Sequence, residues 1–209
     1  MEKIVTRPFG PSILKVKMSD DIVQILNNYT EKKSKENLDE QNLNAGDKLA
    51  GNVSQEITIE NDFIKTSGFG NFLMKETANW IFSSTKQKKQ IKNFRLIGSW
   101  IVRQFKNEFN PLHTHAGHVS GVGYLKVPTN LGNTVQKNKP NKNGHLQLVH
   151  GTKNFLSESV LDIKPEVGDF YFFPHYVMHT VYPFVDTFEE RRSVSFNAFI
   201  DPEIFSSVD

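Results

Sequence analysis

Phe94-Arg95-Leu96-Ile97-Gly98-Ser99-Trp100-Ile101-Val102-Arg103-Gln104-Phe105 is where the chain changes period. Upstream, apolar residues recur at helical spacing. Here they come in short runs that suit extended backbone, with Phe94–Ile97 and Ser99–Phe105 as strands. Val119–Val127, His145–His150, Asp169–Phe173, Val177–Tyr182 and Ser193–Ile200 read the same way, separated by Gly, Pro and Asn. Runs of this length and punctuation predict a mainly β protein, a sandwich or barrel with helices packed outside it.

Working back from residue 94, Phe72, Leu73, Thr77, Trp80 and Ile81 lie at helical spacing between about 69 and 85, and the Lys-Gln run at 86–90 ends that helix. An earlier helix starts after Ser19, a natural N-cap with Asp20 and Asp21 in the first turn. Its apolar face is Ile22, Val23, Ile25 and Leu26. Pro11–Lys17 reads as a short strand. Two polar stretches, 31–56 and 129–144, offer few apolar anchors and are read as solvated connections or flaps rather than core. The expected organisation is one domain over 1–209, with 1–92 as helical and loop support and 93–202 as the β core bearing the site.

Composition narrows the classes. The 209 residues are 37% hydrophobic, enough for a real core, and the formal charge of +2 gives no basic surplus for phosphates, so no specific nucleic-acid binding is expected. No apolar stretch approaches eighteen residues, and Met1-Glu2-Lys3-Ile4-Val5-Thr6-Arg7-Pro8 has no apolar signal core, so the expected setting is cytoplasmic with no membrane contact. With no cysteine, any metal must be held by nitrogen and oxygen.

All seven histidines, His113, His115, His118, His145, His150, His175 and His179, fall between 113 and 179. A single such residue is more often a hydrogen-bonded core histidine than a ligand. Clustering favours the metal. His113 and His115, at i and i+2, share one face of an extended segment and make a chelating pair when neutral. His179, reached through Gly168–Pro174 and a turn, would bring a third nitrogen from another strand. His118 is read as rim or structural, His175 as an exposed turn residue, and Trp80 and Trp100 as core. His145 is a candidate cavity residue that is not a first-choice ligand.

Twelve residues after His179, strand alternation in Arg191–Phe199 puts Arg191, Ser193, Ser195 and Asn197 on one polar face. A guanidinium with a hydroxyl two residues on can grip a carboxylate, so this face suits a cavity that receives an anion. The plainer alternative, a surface arginine at a strand end, loses ground beside a candidate metal site.

Together these features resemble the Fe(II)- and 2-oxoglutarate-dependent oxygenases. More narrowly, Pro111-Leu112-His113-Thr114-His115-Ala116-Gly117, the run Val119–Leu125, Pro174 to His179 and Arg191 to Asn197 are similar to the small family called "putative 2OG-Fe(II) oxygenase" over about residues 100–200, with Ala116 at the usual proline. Members occur in bacteria and tailed phages, so the resemblance allows a phage-encoded protein acting in host cytoplasm.

The resemblance implies a double-stranded β-helix, or jelly roll, with flanking N-terminal α-helices. It also implies Fe(II) as metal, 2-oxoglutarate as cosubstrate and O2 as co-reactant in hydroxylating a substrate it does not name. His113 and His179 would be iron ligands, Arg191 with Ser193 would take the distal carboxylate, and Tyr124 is a further candidate for it. Such enzymes usually carry Asp or Glu where His115 stands, so His115 is either a third imidazole ligand or turned away. Asn197, Gln104 and Asn107 are candidates for the surrounding shell or for substrate and cosubstrate contacts. The rival readings are a cupin-type three-histidine dioxygenase and a non-catalytic jelly-roll binding protein. Oligomeric state is open, a homodimer among the options.

Overall fold

The computed structural model describes residues 3–6, 10–36, 38, 41, 43–46, 49–85, 88–136 and 138–206. Its elements run β1 (Lys3–Thr6), β2 (Ile13–Lys17), α1 (Asp20–Lys33), β3 (Gln55–Thr58), α2 (Asn61–Thr66), α3 (Phe69–Ser84), β4 (Phe94–Gln104), β5 (Asn110–His113), β6 (Val119–Lys126), β7 (Leu146–Val149), β8 (Val160–Ile163), β9 (Asp169–Pro174), β10 (Met178–Val181), β11 (Arg191–Ile200) and α4 (Pro202–Phe205). A seven-stranded sheet has the order β1-β2-β9-β6-β11-β4-β3, and a four-stranded sheet the order β5-β10-β7-β8. Every pairing is antiparallel. This is the expected jelly roll.

Strand alternation divides the large sheet's side chains between two cores. On one face Phe170 and Phe172 of β9, Val194 and Phe196 of β11 and Val16 of β2 pack against Leu26 of α1 and Phe69, Phe72, Leu73 and Trp80 of α3. On the other, Tyr171 and Phe173 of β9 and Val122 and Tyr124 of β6 pack with Leu146, Leu148, Ile163 and Val181 of the small sheet. Glycine is required in β6 on the helix side. A Cβ at Gly121 would fall 2.6 Å from the Phe196 ring, and one at Gly123 would overlap Phe170. Among the described residues no helix is long and apolar enough to cross a membrane.

Ser19 caps α1 as expected, its hydroxyl accepting from the Ile22 N–H. Ile25, expected on the apolar face, is instead exposed, and Tyr29 and Thr30 complete the buried stripe. The second expected helix, about 69 to 85, is α3, which ends at Ser84 just before the Lys-Gln run; residues 86 and 87 lie outside the described residues.

Segment 31–56 departs from expectation. Leu38 and Leu43 pack on Ile57, and Ala45 packs on Trp100 and Val102 with Leu49 and Val53 beside them. The segment therefore contributes core, although residues 37, 39, 40, 42, 47 and 48 lie outside the described residues. Segment 129–144, described except for residue 137, is irregular as expected and is tied down by hydrogen bonds from the Thr129 N–H to Glu189 and from Asn143 Nδ2 to the Leu131 carbonyl.

An ion-pair knot fastens the start of β11. The Glu190 carboxylate accepts from Nε of Arg103 at 2.8 Å and Nε of Arg192 at 2.7 Å, and Arg192 reaches Glu31 on α1 at 2.6 Å. Burial alone would push the Glu190 pKa up, but the hydrogen bonds from Arg192 and Arg103 outweigh it and hold the group at about 2 instead of 4.5. A carboxylate whose pKa is lowered by folding adds stability that is complete above its unfolded pKa and is lost as pH falls through the folded value. We therefore expect Glu190→Gln to cost ~3 kcal/mol at pH 7, the free energy by which folding favours the ionised carboxyl over the neutral one. In denaturant titrations the gap between variant and wild type should close between pH 4.5 and 2.

Candidate metal centre

Strand pairing builds the site. β5 and β10 lie side by side with His113 opposite His179. His115 lies just beyond β5, where its backbone N–H donates to the His175 carbonyl at 3.2 Å, and His175 Nδ1 donates back to the His115 carbonyl at 3.0 Å. The histidine expected to be an exposed turn residue thus staples the second member of the pair in place. Ring centroids of His113, His115 and His179 are 4.2–4.9 Å apart. One ring nitrogen from each lies within 4.8 Å of the others, a group able to hold a metal ion.

Their tautomers follow from their neighbours. His113 Nδ1 lies 2.6 Å from the Pro111 carbonyl and His179 Nδ1 lies 3.0 Å from the Val177 carbonyl. A carbonyl only accepts, so each Nδ1 carries the proton and each neutral ring leaves the Nε2 lone pair free. His179 Nε2 faces His115 Nε2 at 3.1 Å. Burial and the neighbouring imidazoles push His115 down to about 3, and burial with His113 pushes His179 down to about 4, so both rings are uncharged at neutral pH. Three converging imidazole nitrogens with open space in front suit a divalent transition metal.

The rings line a small cavity of about 40 Å3 that opens to solvent; its other walls include Trp100, Val102, Asn110, Val122, Val181, Arg191, Ser193, Ser195 and Glu56. Arg191 is buried, and its Nη1 donates to Gln104 Oε1 at 3.1 Å. Its Nε and Nη2 are buried without a hydrogen-bond partner, as is the Tyr124 hydroxyl. The guanidinium lies 5.1 Å from the centre of the Tyr124 ring. Burial lowers the Arg191 pKa and raises that of Tyr124. A buried cation with spare donors beside a spare hydroxyl is an anion receptor.

The other expected site residues fall elsewhere. Gln104 does not line the cavity; its Nε2 donates to the Glu108 and Tyr182 carbonyls, which turns Oε1 toward Arg191. Asn107 is an exposed turn residue with φ of 67°, its N–H donating to the Phe184 carbonyl. His145 lies outside the cavity and pairs with Asp162 at 3.3 Å. Asn197 continues the polar face of β11 but accepts from Ser120 Oγ at 2.7 Å rather than lining the cavity. Segment 129–144 does not line it either, whereas Leu49 and Ala50 from the other polar stretch do. His118 is structural, stacked on Phe205 at 3.8 Å. Trp100 is core as expected, packed with Ala45 and Val102, and its ring also walls the cavity 5.4 Å from that of His115. Sequence reading missed Glu56, since Gln55–Thr58 carries no pattern that marks it as a strand.

Residues 98–197 match the model of the family described as "Putative 2OG-Fe(II) oxygenase". No curated protein sequence matches the chain. Among solved structures, the chain is similar to a viral collagen prolyl hydroxylase of Paramecium bursaria Chlorella virus-1 in complex with 2-oxoglutarate (TM-score 0.55, 15% identity, 89% of this chain and 94% of that one). It is also similar to a prolyl-4-hydroxylase of Pseudomonas putida (0.58, 15%, 88% and 91%) and to HygX of Streptomyces hygroscopicus with nickel and 2-oxoglutarate bound (0.54, 11%, 88% and 80%). At such identities these likenesses establish the fold. The matched stretch, just under half of the chain, contains the three histidines and Arg191, and it supports an enzyme that depends on Fe(II) and 2-oxoglutarate.

Proposed function

We propose that His113, His115 and His179 hold the Fe(II), that Arg191 with Ser193 and Tyr124 receives the distal carboxylate of 2-oxoglutarate, and that the enzyme hydroxylates a C–H bond of a substrate in the cytoplasm. The observation that carries this reading is the shared cavity: three converging imidazoles on one side and a buried guanidinium with two spare nitrogens on the other. Bound there, Fe(II) and O2 supply the oxidising power that converts 2-oxoglutarate to succinate and CO2 while one oxygen atom goes to the substrate.

The chain's own contribution is placement. The Pro111 and Val177 carbonyls fix the His113 and His179 tautomers, so no proton has to leave before metal binds. Gln104 holds Arg191 at the sheet's inner face, and Tyr124 stands ready to add an O–H donor to the same carboxylate. Val102, Val122, Val181 and Trp100 keep the space between apolar and limit water. With three uncharged imidazoles the metal keeps its full +2, which the cosubstrate dianion balances. A cupin reading gives Arg191 no task.

The test is spectroscopic. Anaerobic Fe(II) with 2-oxoglutarate is expected to give the wild-type protein a visible metal-to-keto-acid absorption band that neither component gives alone, and aerobic incubation to release succinate. Fe(II) binding without the band on adding keto acid would remove the oxygenase reading of these residues.

A further inference from the structure

Glu56 lies outside the stretch that matches the family and has no part in the site as proposed. It sits on β3, the edge of the large sheet, opposite Val102, which is opposite Ser193 on β11, itself opposite Tyr124. That row carries Glu56 to the cavity wall. Its side chain is 2% exposed, and Oε2 is buried with no hydrogen-bond partner. It is the one carboxylic side chain among the described residues that line the cavity.

Such a group is costly to bury without a partner and contributes little to the apolar cluster of Ala45, Trp100 and Val102 beside it. A second observation points to a ligand. A Cβ on Gly51 would fall 2.7 Å from Glu56 Oε1 and 3.0 Å from Asn110 Nδ2, so the missing side chain at 51 is what leaves these two polar groups their room. Gly51 has no left-handed backbone to explain it. Trp100 adds an aromatic ring to the same wall. Carboxylate and aromatic ring together are groups that receive a positively charged nitrogen, by ion pairing and attraction to the ring.

We propose that Glu56, with Trp100, recognises an amine or guanidine group on the primary substrate, so that the enzyme oxidises a small cationic molecule or a basic side chain. The inference rests on the iron-site reading above. Arg191, already engaged by the cosubstrate carboxylate, stands among the same lining residues, so among the described lining residues Glu56 is the one carboxyl that a cationic substrate meets. Burial pushes the Glu56 carboxyl up to about 7, and an arriving cation would draw it to the carboxylate.

The experiment titrates the anaerobic Fe(II)–2-oxoglutarate complex with n-butylamine, butylguanidine and the neutral isostere 1-butanol, following the visible band and the thermal midpoint. The cations are expected to perturb the band of the wild-type protein and bind at least ~10-fold more tightly than the alcohol. Glu56→Gln should abolish the preference, and Gly51→Ala, which crowds the carboxyl without removing charge, should weaken cation binding. The band itself reports whether each variant's centre is intact, and the wild-type preference decides the matter should a variant lose it. Equal binding of alcohol and amines to a wild-type complex that shows the band, or an undiminished preference in a Glu56→Gln complex that shows it, overturns this inference and leaves the iron site standing. Absence of the band in wild type overturns both.

Discussion

Replacing His179 with alanine is expected to abolish the Fe(II)–2-oxoglutarate band and to lower succinate release by more than ~100-fold. Changes in residues that merely orient a metal ligand already cost about 10- to 100-fold, and His179 is proposed as a ligand itself. It is also the least replaceable of the three rings. It is buried, its Nδ1 is held by the Val177 carbonyl, and its Nε2 lies 3.1 Å from that of His115. Alanine leaves His115 and His113 on adjoining segments with nothing to close the set from β10. The fold should persist, since the large-sheet core on α1 and α3 does not include the ring. Far-ultraviolet circular dichroism of the variant should match wild type while metal titration shows weakened binding. A band of full intensity in this variant would remove His179 from the metal set.

Replacing Arg191 with methionine should move two properties in opposite directions. The affinity for 2-oxoglutarate is expected to fall about 30- to 4,000-fold, the range that follows from losing one partner of a buried, hydrogen-bonded charge pair. Thermal stability without cosubstrate should rise. In the free protein the guanidinium is buried with only Gln104 as hydrogen-bond acceptor and two nitrogens unpartnered, which destabilises the folded state relative to an apolar side chain of similar size. Arg191→Lys keeps the charge but loses the fork, and should recover little of the affinity. Measuring the midpoint with and without 2-oxoglutarate separates the effects: wild type gains stability on adding the keto acid and the methionine variant does not. A variant both less stable and undiminished in keto-acid affinity would make Arg191 a structural residue.

Much of this architecture is legible in the amino-acid sequence. The β-runs from residue 94, the Ser19 cap and the face of Phe72, Leu73 and Trp80 are set by local pattern, and local pattern survives folding. The histidines and Arg191 were legible because their residue types are unusual in such density. What escaped depends on tertiary placement. β3 is Gln55-Glu56-Ile57-Thr58, too polar and short to announce itself, and it becomes a strand only by pairing with β4. β5 contains Pro111 and has no alternation. Gln104 was expected to meet a small molecule, but the Glu108 and Tyr182 carbonyls orient its amide behind Arg191, a contact that spans 78 residues. His145 was drawn off by Asp162, seventeen residues away.

An interior place in the large sheet, between β6 and β4, is taken by its last strand to be made. β11 separates β4 from β6, which do not touch one another in the sheet order, and it brings Arg191 and Ser193 with it. On the ribosome, therefore, the two inner edges wait unpaired until the chain's final strand is synthesised, and His113 and His115 emerge well before the partners that give them a purpose. Closure of the sheet and completion of the keto-acid receptor are one event, so a chain cut short before residue 191 forfeits the anion pocket and the join between its halves together.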